Sequence, residues 1–134
     1  FTFDRGDEEG WIGAHDIGEE RVRDGVLIAR TDGSDPWLER TACRIAPGLA
    51  TIRFRMRARG SDGVGQLFWS TSDSPSWDEQ KGLRFTFRAD GEWQEVVLPV
   101  GEHAQWHGKT VTGLRLDPGS RAGAIIELDW IRGE

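Results

Sequence analysis

Ile52-Arg53-Phe54-Arg55-Met56-Arg57-Ala58-Arg59 is the stretch that decides the fold class. Apolar and cationic residues alternate through it without a break. Successive side chains of a strand point to opposite faces, so a period of two marks a half-buried strand with one arginine face. Leu83-Arg84-Phe85-Thr86-Phe87-Arg88 repeats the pattern. Further strands are expected at residues 26–30, 65–71, 93–99, 111–117 and 125–132. Turn pairs separate them: Asp24-Gly25, Asp32-Gly33, Pro47-Gly48, Asp62-Gly63, Asp90-Gly91 and Pro118-Gly119. No segment carries a helical apolar stripe beyond about two turns. Eighteen glycines punctuating short strands indicate an all-β antiparallel sandwich, a jelly roll.

The chain of 134 residues fits one domain, since domains commonly run to about 100–150 residues. Its one cysteine, Cys43, cannot form an internal bridge and reads as a small core residue. No apolar run approaches the roughly 18 residues of a membrane span, and no signal-like segment is present. A start at Phe1 rather than Met suggests a module cut from a longer or processed protein. The net charge is −6, and residues 1–35 hold ten acids against four arginines, while the rest is balanced. That balance argues against nucleic acid as the main partner, because phosphate binding needs a basic face. The acids near the amino end suit a hard cation.

Enzyme templates are missing. There is no Gly-x-Ser-x-Gly elbow, phosphate loop or His-Glu-x-x-His. His103 and His107 are bracketed by Pro99, Gly101 and Gly108, which breaks the helix that a ligand pair would need. Carboxylates such as Glu92 and Glu95 read as solvated turn residues. No catalytic residue is assigned.

Binding features are stronger. Seven tryptophans and no tyrosine exceed what a small core requires, and surplus indoles make stacking platforms. In Gly65-Gln66-Leu67-Phe68-Trp69-Ser70-Thr71, Phe68 and Trp69 face opposite ways, so one is core and the other is exposed or lines the second face. Trp77 ends a polar loop that no periodicity governs, and is either a lid over the core or a platform. Trp37, in a loop entering a strand, has the same two readings. The candidate ligand set is Trp69, Trp77 and Trp37 for stacking, with Arg84, Arg53, Arg55 and Gln66 for hydrogen bonds. The arginine faces of residues 53–59 and 84–88 are expected on one sheet with Trp69, as a face for polar ring ligands, acidic sugars especially. The alternative is a solvated face whose arginine stems cover apolar surface.

The carboxyl-terminal half carries a recognisable pattern: Trp106-His107-Gly108, Thr112-Gly113-Leu114-Arg115-Leu116-Asp117-Pro118 and Ile126-Glu127-Leu128-Asp129-Trp130-Ile131. With Gly91-Glu92-Trp93 and residues 65–71, it resembles galactose-binding-like jelly-roll modules, over most of the chain. The resemblance implies a non-catalytic carbohydrate-binding module of 1–134. Such modules are appended to secreted bacterial polysaccharide-degrading enzymes, so the implied location is extracellular or periplasmic. The implied partners are a polysaccharide or glycan and a catalytic domain in the same polypeptide. It further implies a structural calcium where the terminal strands meet, held by Asp129, Asp4 and the Asp24-Gly25 turn; calcium needs about six to eight oxygens. It makes Trp93, Trp106 and Trp130 fold-defining, with Trp11 packing the first strand on the last. The competing reading is a structural or interaction domain without its own glycan site. A small lyase or hydrolase is the weakest of the three.

Overall fold

The computed structural model describes residues 1–134. The alternating segment is a strand, Ile52–Arg59, whose apolar half is buried and whose first three arginines are half-exposed. In chain order the strands are β1 Trp11–His15, β2 Ile17–Arg23, β3 Val26–Thr31, β4 Trp37–Arg40, β5 Ile52–Arg59 and β6 Val64–Thr71. Then follow β7 Gly82–Thr86, β8 Gln94–Leu98, β9 Val111–Asp117 and β10 Ile125–Gly133. They form two five-stranded antiparallel sheets, ordered β1-β4-β9-β6-β7 and β2-β3-β10-β5-β8. The expected sandwich is therefore the observed one.

The inward faces meet in one core of 24 buried residues. Leu38, Leu67, Trp69, Leu114 and Leu116 come from the first sheet, and Leu27, Phe54, Met56, Ile126 and Leu128 from the second. Phe54 of β5 meets Phe85 of β7 edge-on at 5.3 Å, across the gap between sheets. Each such side chain contributes about 1.5–3 kcal/mol by leaving water. The β2–β3 hairpin turns on Asp24 and Gly25, both at positive φ (51° and 74°), as a tight two-residue hairpin requires. The amino-terminal ammonium donates to the Ile131 carbonyl at 2.8 Å, and the Ile131 N–H donates back to Phe1. Phe1, ahead of the first strand, therefore pairs with β10, whereas the terminal strands β1 and β10 themselves lie in different sheets.

Three strands were not anticipated: β1, β2 and β4. Two of them, β1 and β2, are sheet edges with few inward apolar residues. The Glu20 carboxylate of β2 accepts from the Gly13 N–H of β1 and ties the two edges together. Burial raises the pKa of that carboxyl more than the hydrogen bond lowers it. Cys43 lies in a connection between strands rather than in the core, half-buried. Burial raises its thiol pKa, which disfavours the nucleophilic thiolate. No helix is long and apolar enough to cross a membrane.

Candidate functional site

Strand β9 buries Leu114 and Leu116, so alternation turns Gly113, Arg115 and Asp117 to the outer face of the first sheet. Register extends this face sideways. Glu39 lies opposite Arg115, and Arg115 opposite Phe68. Asp117 lies opposite Gln66, and Gln66 opposite Arg84.

Planar groups stand side by side across β1, β4, β9 and β6. His15 stacks on Trp37 with ring centres 4.2 Å apart and planes 6° from parallel. The Arg115 guanidinium lies 3.8 Å from the centre of the Trp37 ring and 4.8 Å from that of Phe68. Two groups this close to one indole must occupy its opposite faces. A two-pronged contact fixes Arg115: its Nε and Nη2 donate to the two Asp117 oxygens, each at 2.7 Å. The Trp37 indole donates to Glu39 at 3.3 Å. Burial raises the Asp117 pKa, outweighing the contacts from Arg115, and the charges of Asp35 and Glu79 push the same way. The result is a rigid wall of planar groups edged with carboxylates, Gln66 and Arg84.

At the other end of the face, Trp77 reaches over Gly113. A β-carbon at Gly113 would sit 3.0 Å from the far edge of the Trp77 ring, so glycine there makes room for the indole. Asp117 and Gly113 are four residues apart, which at strand rise separates the two ends of the face by about 13 Å. The loop carrying Trp77 is clamped from below by Lys81, whose side chain is 3% exposed. Its Nζ donates to the Ser74 carbonyl, the Ser74 hydroxyl and the Ser76 carbonyl at 2.6–2.7 Å. Asp73 tethers the same loop by accepting from Lys109 and Thr71, each at 2.7 Å. These contacts hold the Asp73 carboxyl at about 2, against an ordinary 3.8. A lowered carboxyl pKa stabilises the fold above the unfolded value, and the contribution is lost as pH falls from about 4 toward 2. A carbon-detected NMR titration is expected to follow Asp73 to about pH 2. In Asp73→Asn that step, and its share of the acid-side loss of stability, should be gone.

The residues singled out from sequence are divided by the fold. Trp69 is fully buried, donates its indole N–H to the Gln105 carbonyl at 3.0 Å and packs edge-on against Trp106 at 5.3 Å. It is a core residue and cannot stack on a ligand. Its neighbour Phe68 is the one that faces outward, under Arg115. Trp37, Trp77, Gln66 and Arg84 do share one face. Gln66 and Arg84 both approach the Glu79 carboxylate, at 3.0 and 3.8 Å.

Arg53 and Arg55 do not join them, because β5 belongs to the opposite sheet. There Arg53 meets Glu95, and Arg55 meets Asp129 at 2.5 Å. Trp93 and Trp130, expected as scaffold, are half-exposed on that second sheet. Arg55 and Arg57 lie over Trp93, and Arg132 lies over Trp130. Trp11 and Trp106 are buried as expected. The residues expected to hold calcium come from three segments, with Asp4 against the Asp24-Gly25 turn. Asp129 is engaged by Arg55, and Asp24 is exposed next to Arg23. No group of three or more His, Cys, Asp or Glu side chains is arranged to hold a metal; a calcium site here would draw on backbone carbonyls as well. Sequence reasoning passed over Arg115, Asp117, Glu39 and His15. The first two were legible, since Leu114 and Leu116 inward means Arg115 and Asp117 outward.

No family model matches the sequence, and no curated protein matches it. Solved structures do match in fold. A point mutant of a family 29 carbohydrate-binding module superposes with a TM-score of 0.69 at 12% identity, over 99% of this chain and 87% of that one. A family 29 module complexed with cellulohexaose gives 0.65 at 12% identity, over 92% and 80%. A family 4 carbohydrate-binding module gives 0.62 at 17% identity, over 99% and 100%. The fold of this chain is that of the β-sandwich carbohydrate-binding modules.

Proposed function

We propose that the chain is a non-catalytic carbohydrate-binding module and that the outer face of the β1-β4-β9-β6-β7 sheet receives the glycan. The observation that carries this reading is the gathering of Trp77, the His15–Trp37–Arg115–Phe68 stack and a fringe of hydrogen-bonding groups on that one face. Sugar rings combine apolar faces with a rim of hydroxyls, and such a surface matches both. Trp77 supplies the stacking plane. Gln66, Glu39, Asp117 and Arg84 supply directional contacts. Both arginines here are already paired with carboxylates, Arg115 with Asp117 and Arg84 with Glu79. The face offers no spare cation, which favours a neutral glycan over the acidic sugars first considered. A length of about 13 Å along β9 suits an oligosaccharide of several rings. In this role the module would hold whatever catalytic domain it is joined to against a polysaccharide outside the cell.

Two mutants of one similar family 29 module were solved with cellulohexaose and mannohexaose, and those hexasaccharides are the first ligands to try. Aromatic contacts are worth about 0.5–1.5 kcal/mol each, so affinity should be weak, with Kd on the order of 0.1–1 mM. Trp77→Ala is expected to weaken binding about tenfold, a loss of about 1.4 kcal/mol. Trp37→Ala removes the plane between His15 and Arg115, so the double variant should show no heat of binding in titration calorimetry. Undiminished binding by the folded double variant would sink the assignment.

A further inference from the structure

The opposite sheet carries a second feature that the glycan face does not use. Register sets Arg30 and Arg59 on either side of Ile125, with β10 between their strands. Arg21 lies opposite Ile28 on the neighbouring pair. These residues, with Glu19 and Glu127, line a hollow of about 350 Å³. That is the low end of the range for small-ligand sites, about 300–1,000 Å³.

The charges of the hollow are uneven. Glu127 is neutralised by a two-pronged contact with Arg57 at 2.5 and 2.9 Å. Along β5, Arg53, Arg55 and Arg57 all meet carboxylates. Arg21, Arg30 and Arg59 meet none within 4.0 Å, which leaves three guanidinium groups against the single carboxylate of Glu19. The Arg59 guanidinium lies over Gly91, where any β-carbon would collide with it. Between the arginines the floor is apolar: Ile125 is 40% exposed, and Ile28 is half-buried. Unpaired, planar donors around an apolar floor call for a ligand with an oxyanion on an otherwise apolar-faced ring.

We propose that this hollow binds the carboxylate of a uronic acid residue, with Arg30, Arg59 and Arg21 taking the carboxylate and Ile125 and Ile28 under the ring. The site lies on the face away from Trp77 and stands apart from the glycan reading made there. The protein would then hold two glycan chemistries on its two sheets.

The test is calorimetric titration with trigalacturonate, its methyl ester and inorganic phosphate. Trigalacturonate should bind, more weakly as salt rises, and the methyl ester, which keeps the rings and loses the charge, should not. Arg30→Gln with Arg59→Gln should weaken trigalacturonate at least tenfold and leave hexasaccharide binding intact; both residues are exposed, so folding is not at stake. Trp77→Ala should leave trigalacturonate unaffected. The proposal is overturned if trigalacturonate fails to bind, or if the arginine variant binds it normally. It is equally overturned if Trp77→Ala abolishes that binding, or if phosphate binds the hollow as tightly, which makes it a bare anion site.

Discussion

Trp69→Ala should lower the unfolding free energy by about 3–5 kcal/mol, the range for emptying a buried aromatic site. The side chain is fully buried between the sheets, makes edge contacts with Trp106 and His103 and satisfies the Gln105 carbonyl. Truncation removes all of these and leaves a cavity that the flanking strands cannot close. For a domain of this size the midpoint of thermal unfolding should fall by roughly 10–20 °C. Trp77→Ala, on a surface loop, should move it far less while weakening ligand binding. Scanning calorimetry on the pair separates the core tryptophan from the loop tryptophan proposed to bind ligand. A Trp69→Ala variant melting within a degree or two of the parent would contradict the core role.

Lys81→Met should release the loop that carries Trp77. The ammonium group is buried, donates to three acceptors and lies 3.4 Å from Asp78. Methionine fills similar space but leaves the Ser76 carbonyl without its donor, while the Ser74 carbonyl keeps only the Thr71 N–H. Unsatisfied groups of this kind cost about 1–3 kcal/mol. The loss should be local: faster amide hydrogen exchange across residues 72–78, little change in the core strands, and weaker binding through a loosened Trp77. Unchanged exchange in that loop would show that Lys81 is not its clamp.

Much of the fold was legible because strands with one buried face announce themselves. β5 and β9 bury alternate residues against the core, and their period of two is unmistakable. β2, Ile17-Gly18-Glu19-Glu20-Arg21-Val22-Arg23, buries almost nothing. As a sheet edge it is held by pairing with β3, and its sequence carries no hydrophobic rhythm to read. The site was legible only in part, for a related reason. Alternation established that Phe68 and Trp69 point opposite ways. The inward choice followed from β6 lying between β9 and β7, where Trp69 faces Leu114.

The sequence by itself determined the strand class, most strand positions and which residues of each strand share a side, because a period of two is a local property. It also supplied Trp37, Trp77, Gln66 and Arg84 as ligand candidates, but in one set with Trp69, Arg53 and Arg55, which the fold places elsewhere. Only the tertiary structure decided which strands lie together, because pairing joins segments far apart in the chain. That pairing sent β5 and its arginines to one sheet and β7 with Arg84 to the other. It also clamped Arg115 between Trp37 and Phe68, and left Arg21, Arg30 and Arg59 unpaired on the opposite side.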